Sequence, residues 1–269
     1  MSEPLVVMAG STRIMGEFRS GSSPTVVLLH SGVSDRRSWR GVIDGLPSDI
    51  AVVAYDRRGY GETAPSVDTF THVGDLLAVL DEIGQQAVWL VGSSMGGGLA
   101  LDTALSAPAR VAGLVLLAPA VSGTPEPTID FVTMAMFEAA GEAAERGDLD
   151  EVNRLETWLW LDGPNAPEGR VSGPARELSL EMNRVVLANG VPEDAGDSGI
   201  DAWARIGEID VPAITAWGDL DVPFLVARAR ELADRLPRGE HRVLHGMAHL
   251  PYLEDPATVA QIVTDALAG

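Results

Sequence analysis

The sequence predicts an α/β fold with a mainly parallel central sheet, and two observations support this. Short runs rich in β-branched residues alternate along the chain with longer segments in which apolar residues recur at helical spacing. The short runs are apolar at consecutive positions, which indicates strands buried on both faces, as in a parallel sheet covered by helices. With 269 residues, of which 46% are hydrophobic, the chain is long enough to bury one sizeable core.

Six strands and four helices are expected in the alternating part of the chain. The predicted strands are 25–29, 50–55, 87–91, 111–117, 213–217 and 242–244. The predicted helices are 72–83, 95–105, 223–236 and 256–267. Helices that follow strands in this way are expected to flank the sheet.

The alternation is interrupted once, between residues 122 and 204, where no convincing strand occurs. Apolar residues recur there at helical spacing, as at Leu149, Val152, Leu155 and Leu159. Amphipathic helices inserted into a sheet protein must cover their apolar faces, and the carboxyl edge of the sheet, where ligands usually bind, is the expected surface. The sequence therefore predicts a core domain formed by 1–121 and 205–269 and a helical lid formed by 122–204.

Three aromatic residues of the predicted lid, Phe137, Trp158 and Trp160, are candidates for contact with a substrate. The alternative is that they only pack the lid helices together, as apolar side chains on helix faces commonly do. The identity of the substrate-binding residues depends on how these helices fold over the sheet, so the sequence leaves it open.

The composition excludes several classes of function. All 19 basic residues are arginine, there are 39 acidic residues, and the net charge is -20. Such an acidic chain would repel phosphate backbones and anionic lipid surfaces, so neither nucleic acid nor a membrane is expected as a partner. The absence of lysine excludes Schiff-base and P-loop lysine chemistry, and the absence of cysteine excludes thiolate catalysis and cysteine-bound metals.

No metal or dinucleotide cofactor is expected either. The five histidines show no close metal-ligand pairing, and no G-x-G-x-x-G follows the first strong strand. The N-terminus lacks the basic start and apolar core of a signal peptide, and the apolar run 111–121 is too short to cross a bilayer. The expectation is a cytoplasmic protein that acts on a small-molecule substrate, and no oligomeric state is predicted.

The most informative motif is GSSMG at residues 92–96, between the predicted strand 87–91 and the predicted helix that begins at residue 95. A serine at the tip of such an elbow is presented to a base and lies beside free backbone N–H groups, as a nucleophilic hydroxyl requires. Gly92 and Gly96 leave room for the cramped turn, because a side chain there would collide with the neighbouring strand or helix. The motif therefore predicts Ser94 as a nucleophile.

A serine nucleophile needs a histidine base and a carboxylate that orients the base, and in this strand–turn–helix setting they follow in the order serine, acid, histidine. His249 lies in the loop beyond the last predicted strand and is the candidate base, whereas His245 at the strand end is expected to make a structural hydrogen bond. Asp219 and Asp221 both follow strand 213–217, and either could instead cap the next helix. The residues alone leave the choice between these carboxylates open.

Attack on a carbonyl also requires donors for the oxygen that becomes charged. The N–H of Met95 is one candidate, because it lies at the start of a helix, where backbone donors are unpaired and the dipole favours negative charge. The N–H of Gly32, in the turn after the first strong strand, is the candidate second donor. His30 precedes the elbow and ends a buried strand, so we expect a hydrogen-bonded structural histidine and not a base.

Five ordered motifs resemble those of the α/β-hydrolase superfamily, and together they extend over nearly the whole chain. They are LLHSG (28–32), YDRRGYG (55–61), GSSMGG (92–97), GDLDVP (218–223) and GMAHLP (246–251). The resemblance implies an α/β-hydrolase fold, with a mainly parallel central sheet flanked by helices and a helical lid inserted after the sixth strand. It also implies a Ser-Asp-His catalytic triad.

The resemblance assigns roles to individual residues. In the family the aspartate three positions after the glycine is usually the triad acid, which selects Asp221, and the histidine of the last motif corresponds to His249. Asp56 resembles the family's turn residue, with a structural role. The chain has His30-Ser31 where members commonly have His-Gly, and this departure lies next to the expected oxyanion donor Gly32.

Within the superfamily the chain is most similar to the lidded, cofactor-free branch that includes 3-oxoadipate enol-lactonases and related esterases. This likeness implies hydrolysis of a carboxylic ester or lactone of a small, mainly apolar substrate through an acyl-enzyme intermediate. Carbon-carbon bond hydrolases and cofactor-free perhydrolases use a similar triad and are alternatives. A ligand-sensing receptor that retains an intact triad is the alternative from a different class.

Overall fold

The structure, a computed structural model, describes residues 2–22, 24–65, 69–190 and 195–269, and it contains the predicted α/β architecture around an eight-stranded sheet. The strands are β1 (Glu3–Ala9), β2 (Thr12–Arg19), β3 (Thr25–Leu29), β4 (Ala51–Tyr55), β5 (Val88–Ser93), β6 (Val111–Leu117), β7 (Ala213–Gly218) and β8 (Gly239–Leu244). Their spatial order is β1-β2-β4-β3-β5-β6-β7-β8.

The sheet is parallel except at one side. β1 pairs antiparallel with β2, and β2 pairs antiparallel with β4. Every pairing from β4 through β3 and on to β8 is parallel. The carboxyl ends of these parallel strands therefore share one edge, and the loops that follow β3, β5, β7 and β8 meet there, as expected for a binding site in a parallel sheet.

The helices agree closely with the predicted ones. The four predicted helices end within one residue of the observed boundaries, because their ends have clear sequence signals: Thr71 caps one, and Pro223 and Pro256 begin two others. The helices are α1 (Arg40–Gly45), α2 (His72–Glu82), α3 (Met95–Ser106), α4 (Phe131–Glu145), α5 (Leu149–Thr157), α6 (Pro174–Asn189), α7 (Ala202–Arg205), α8 (Pro223–Arg235), α9 (Pro251–Glu254) and α10 (Pro256–Ala268). In the described ranges, no helix has the length and apolar character needed to span a bilayer.

The sheet separates two apolar cores, which explains the uninterrupted apolar runs in its strands. Along β3, Val27 and Leu29 belong to the core on one face, and Val26 and Leu28 belong to the core on the other. All four side chains are buried. Because successive side chains of a strand point to opposite faces, a strand covered on both sides has to be apolar at every position.

β1 and β2 were not predicted from the sequence, and β8 was predicted only over 242–244. In β1 only alternate positions near its end are buried, and Met8 is 58% exposed. β8 lies at the opposite edge of the sheet and is exposed along most of its length. β2 lies between β1 and β4, but buried and less buried positions alternate over its first half. None of the three strands is buried on both faces along its length, so their sequences lack the continuous apolar pattern on which the prediction depended.

Between β6 and β7 the chain forms helices and no strand in its described part, as the sequence indicated. Helix α5 packs against both α4 and α6, and it continues into a π-helical turn over Trp158–Asp162. Met136 and Leu159 from this segment form an apolar cluster with Val222 of the α/β core. The helical segment is thus anchored directly beside the loop that follows β7.

Candidate active site

Ser94 lies at a strained turn between β5 and α3. Its φ and ψ are 49° and -117°, a positive-φ conformation that only two non-glycine residues adopt among those described. Such backbone strain costs on the order of 1–3 kcal/mol and persists only where the surroundings enforce it. Here the Ser94 N–H donates to the Leu117 carbonyl oxygen at 2.9 Å, and the Ser94 carbonyl oxygen accepts from the N–H of Gly98 at 3.0 Å.

The two glycines of the elbow are required by space, as the sequence predicted. A Cβ added to Gly92 would lie 2.3 Å from the Gly96 carbonyl oxygen, and one added to Gly96 would lie 2.1 Å from the Leu29 carbonyl oxygen. Both contacts would be with backbone atoms, which cannot move aside as a flexible side chain can. The close approach of α3 to β3 and β5 therefore depends on these glycines.

Asp221 and His249 form a buried hydrogen-bonded pair. His249 Nδ1 lies 2.8 Å from Asp221 Oδ2, and the exposed fractions of the two side chains are 3% and 0%. Asp221 Oδ1 accepts the N–H of Val222 at 2.6 Å, and the backbone N–H of His249 donates to the Trp160 carbonyl oxygen at 3.2 Å. A proton on Nδ1 that is donated to this carboxylate leaves Nε2 as the ring's acceptor.

The neighbouring candidates Asp219 and His245 form a separate pair. His245 Nδ1 lies 2.8 Å from Asp219 Oδ2, but these side chains are 83% and 39% exposed. Asp219 also accepts the N–H of Gly246 at 2.7 Å, so it holds the turn after β8. His245 makes the structural hydrogen bond that was predicted for it, and neither Asp219 nor Asp221 caps α8, whose N-cap is Val222.

A cavity of 510 Å³ connects the elbow to the helical segment, within the usual size range of small-molecule sites. Ser94 and His249 both line it, and Asp221 lies behind His249. Within the described residues, the Ser94 hydroxyl makes no hydrogen bond to His249. In ligand-free enzymes such contacts are often long and tighten when substrate binds. The lining residues are Ser31, Gly32, Val33, Tyr60, Ser94, Met95, Glu156, Trp160, Asn183, Val186, Leu187, Gly190 and His249.

The two predicted anion donors lie on the same cavity. Met95 is the first residue of α3, and Gly32 lies in the loop after β3. A Cβ added to Gly32 would lie 2.6 Å from Met95 Sδ, so the two residues are in close contact. Their backbone N–H groups have no hydrogen-bond partner among the described residues, which leaves both available to an anion.

His30 and Asp56 have the structural roles that were expected. His30 is fully buried, its Nδ1 lies 2.8 Å from the Ser31 carbonyl oxygen, and its Nε2 accepts the N–H of Arg57 at 3.1 Å. Burial and the charge of Arg57 hold the pKa of His30 well below its ordinary value, which keeps the ring neutral. Asp56 accepts the backbone N–H groups of Arg36 and Glu62, both at 2.9 Å, and burial raises the pKa of its carboxyl to about 6.

Of the three aromatic candidates, only Trp160 lines this cavity. Its ring centroid lies 4.8 Å from that of His249 and 6.2 Å from that of Phe137. Phe137 and Trp158 pack in the apolar cluster around Met136, and Trp158 Nε1 donates to the Ala166 carbonyl oxygen at 2.9 Å. Trp160 packs against the same cluster as well, so all three side chains pack the helical segment and Trp160 in addition borders the cavity.

Three polar residues of the cavity, Tyr60, Glu156 and Asn183, were not predicted from the sequence. Tyr60 falls in one of the motifs, YDRRGYG, but no property of the sequence showed that it reaches the site. Glu156 and Asn183 lie on α5 and α6, and they reach the cavity only because these helices pack together beside the elbow.

Comparisons with known proteins agree with this architecture. A Bacillus subtilis (strain 168) protein with the provisional name 2-succinyl-6-hydroxy-2,4-cyclohexadiene-1-carboxylate synthase is 28% identical over 267 residues, covering 91% of both chains. A pimeloyl-(acyl-carrier protein) methyl ester esterase of Vibrio atlanticus (strain LGP32) is 27% identical over 92% of this chain and 96% of its own.

Similarity to solved structures extends over the whole fold. The enol-lactonase from Burkholderia xenovorans LB400 has a TM-score of 0.78 at 19% identity, covering 98% of this chain and 100% of the other. At that identity the likeness concerns the fold. The model of the alpha/beta hydrolase family matches residues 26–262, which include the elbow, both Asp-His pairs and the helical segment. The chain therefore belongs to the alpha/beta hydrolase family.

Proposed function

We propose that this protein hydrolyses a carboxylic ester or lactone of a small, mainly apolar substrate, with Ser94, His249 and Asp221 as its catalytic triad. The observation that carries the proposal is the buried Asp221–His249 hydrogen bond behind a cavity that the strained Ser94 also lines. Strain at a residue that borders a cavity is characteristic of functional sites. The triad arrangement is recognised by such geometry and not by sequence position.

In the proposed reaction the Ser94 Oγ attacks the substrate carbonyl carbon, and His249 Nε2 accepts the hydroxyl proton. Asp221 holds the imidazole in the tautomer that leaves Nε2 free and stabilises the imidazolium that forms. The proton then passes to the oxygen of the leaving alcohol as the ester bond breaks, which gives an acyl-enzyme on Ser94. Water, deprotonated by the same histidine, attacks this acyl group and releases the acid.

The backbone N–H groups of Met95 and Gly32 would stabilise the oxyanion of each tetrahedral intermediate. Donors in comparable positions contribute about 2.7–4 kcal/mol each to transition-state stabilisation. The proposal for Gly32 is supported by its contact with Met95, because both residues then border the same part of the cavity.

Helices α5 and α6, with the turn that joins α5 to Gly163, would act as the lid. Glu156, Trp160, Asn183, Val186 and Leu187 from this segment line the cavity opposite the elbow. Their mainly apolar character supports a substrate with an apolar body. The names of two similar proteins, a methyl ester esterase and an enol-lactonase, support ester and lactone bonds as the first substrates to test.

The test combines active-site labelling with hydrolysis of short p-nitrophenyl esters. We expect a fluorophosphonate to label the wild-type protein on Ser94, and Ser94→Ala to abolish both labelling and burst-phase release of p-nitrophenol. Ser93→Ala is the matched control, because Ser93 is buried in β5 and does not line the cavity. A folded Ser94→Ala protein with wild-type turnover would end the nucleophile assignment.

The alternatives are distinguished by their substrates. A carbon-carbon bond hydrolase would cleave ring-cleavage diketones faster than simple esters, and a perhydrolase would turn over faster with peroxide present. A sensor would bind a ligand tightly with negligible turnover. We expect ester or lactone cleavage to exceed the diketone and peroxide-dependent rates, and the reverse order would replace this proposal.

A further inference from the structure

The loop that carries the proposed base is held by charged side chains on two sides. Residues 246–249 form this loop, which follows β8. The Gly246 carbonyl oxygen accepts from Arg170 Nη1 at 2.8 Å, and the Ala248 N–H donates to Glu254 Oε1 at 2.7 Å. Arg170 belongs to the helical segment between β6 and β7, whereas Glu254 is the last residue of α9 in the core. The loop is therefore fixed both to the helical segment and to the core.

The two charged side chains also bind each other. Arg170 Nη2 lies 2.5 Å from Glu254 Oε2, and the side chains are 21% and 5% exposed. Burial raises the pKa of the Glu254 carboxyl, whereas the Ala248 N–H and the Arg170 guanidinium favour its charged form. Removal of one partner from a buried pair leaves the other charge without compensation. The position of the loop therefore depends on both residues together.

Arg170 also binds the turn that contacts the base. Its Nη2 donates to the Leu161 carbonyl oxygen at 2.7 Å, and its Nε donates to the Asp162 carbonyl oxygen at 2.8 Å. These carbonyls end the π-helical turn, where a cation is favourable because the last carbonyls of a helix lack partners within it. Trp160 of the same turn accepts the backbone N–H of His249 at 3.2 Å, and its ring lies beside the imidazole. One guanidinium group thus fixes this turn and the loop relative to each other.

We propose that Arg170 and Glu254 are positioning residues that hold the His249 imidazole where it can accept the proton of the nucleophile. The inference rests on the proposed ester or lactone hydrolysis and adds two residues to its machinery. Neither side chain is among the described residues that line the cavity, so neither contacts the substrate there. Their effect therefore falls on kcat and not on KM, and a displacement of the base by about 1 Å can cost about 100-fold in rate.

The test compares two arginines of the helical segment that both bind Asp162. We expect Arg170→Ala to lower kcat for p-nitrophenyl acetate by about 10- to 100-fold, with little change in KM. Arg176→Ala is the matched control, because Arg176 Nη1 lies 2.6 Å from Asp162 Oδ2 and its side chain is 16% exposed. In the described part of the chain, Arg176 makes no hydrogen bond or ion pair with residues 246–249. We expect this control to keep kcat close to the wild-type value.

Two conservative variants keep part of the network and so preserve the fold. Glu254→Gln retains an acceptor for the Ala248 N–H but loses the charge, and Arg170→Lys retains the charge but cannot reach all the acceptors of the guanidinium. We expect both to have kcat values between those of wild type and Arg170→Ala. A role in stability alone would lower the urea midpoint and leave kcat of the folded variants unchanged.

Hydrogen exchange separates this inference from the proposed function, because it needs no turnover. We expect the backbone amides of Ala248 and His249 to exchange faster in Arg170→Ala and at the wild-type rate in Arg176→Ala. A folded Arg170→Ala protein with wild-type kcat, or an equal loss of kcat in Arg176→Ala, would overturn the positioning role alone. If a fluorophosphonate failed to label the wild-type protein while exchange in the loop still depended on Arg170, the hydrolase proposal would be overturned and the hold of Arg170 on the loop would be kept.

Discussion

Two Asp-His pairs lie side by side at the ends of β7 and β8, and they differ mainly in burial. Asp219–His245 and Asp221–His249 have the same Nδ1 to Oδ2 distance of 2.8 Å. Both aspartates leave β7 two residues apart, and both histidines follow β8 four residues apart. The first pair is largely exposed, whereas the second is almost completely removed from solvent.

The difference separates two hydrogen bonds of equal length by their surroundings, and it supports only the buried pair as part of the proposed triad. Around Asp219 and His245, water screens the charges and competes for the same lone pairs, so the pair contributes little beyond holding a turn. Around Asp221 and His249, the Val222 N–H, the Trp160 carbonyl and the Trp160 ring restrict both groups. Only the buried pair borders the cavity that Ser94 lines.

The largest expected effect separates the two pairs directly. We expect Asp221→Asn to lower kcat for p-nitrophenyl acetate by about 10⁴-fold, as in other triads where the amide stabilises the wrong histidine tautomer. Asp219→Asn is the matched control, and we expect its kcat to stay within about twofold of wild type because the pair is solvent-screened. Equal losses in the two variants would remove the distinction between the pairs.

The part of the site that the sequence predicts is the part that neighbouring residues in the chain determine. The burial of a side chain by distant segments cannot be predicted in this way. Ser94, Gly92 and Gly96 could be located from the sequence, because a strand, a helix and the glycine spacing constrain the elbow locally. The choice between Asp219 and Asp221 could not be made from the residues, since both follow the same strand and their surroundings come from distant segments. The family motif, and not a physical property of the two residues, favoured Asp221.

The contrast between local signals and distant packing also explains which other elements and residues were predicted and which were missed. Helix α3 and helix α10 were predicted to within one residue because their boundaries carry local signals. The edge strand β1 and its neighbour β2 lack the continuous apolar pattern, and they were missed. Glu156 and Asn183 acquire their position only through the packing of α5 on α6, which the sequence does not specify.

A second prediction concerns the support that the buried pair receives from the lid. Trp160→Ala removes the ring beside His249 but keeps the backbone carbonyl, and we expect kcat/KM to fall by about 10- to 100-fold through misplacement of the imidazole. Trp158→Ala is the control for loss of an indole. It is expected to reduce the free energy of unfolding by about 2 kcal/mol, because Trp158 is half-buried, while kcat/KM changes less than about threefold.

Steady-state kinetics and urea unfolding of the two tryptophan variants would check this prediction together. If Trp158→Ala lost activity as strongly as Trp160→Ala, the lid would act on the site as one packed unit. The special contact between Trp160 and His249 would then have no separate role in positioning the base.

The smallest expected effect is the pH dependence of the exposed pair. The hydrogen bond from His245 lowers the pKa of the Asp219 carboxyl below its ordinary value of 3.8. Because the pKa is lower in the folded than in the unfolded protein, the pair stabilises the fold above that ordinary value, and the stabilisation is lost as pH falls through the lowered pKa. Solvent screening limits it to less than about 1 kcal/mol.

Urea unfolding of wild type and Asp219→Asn would measure this contribution. The wild type is expected to be slightly more stable near neutral pH, and the difference should shrink as the pH is lowered below the ordinary aspartate pKa. A difference that grew on acidification would mean that the carboxyl is stabilised in its protonated form. The hydrogen bond from His245 would then not be what holds the Asp219 carboxylate in its charged form.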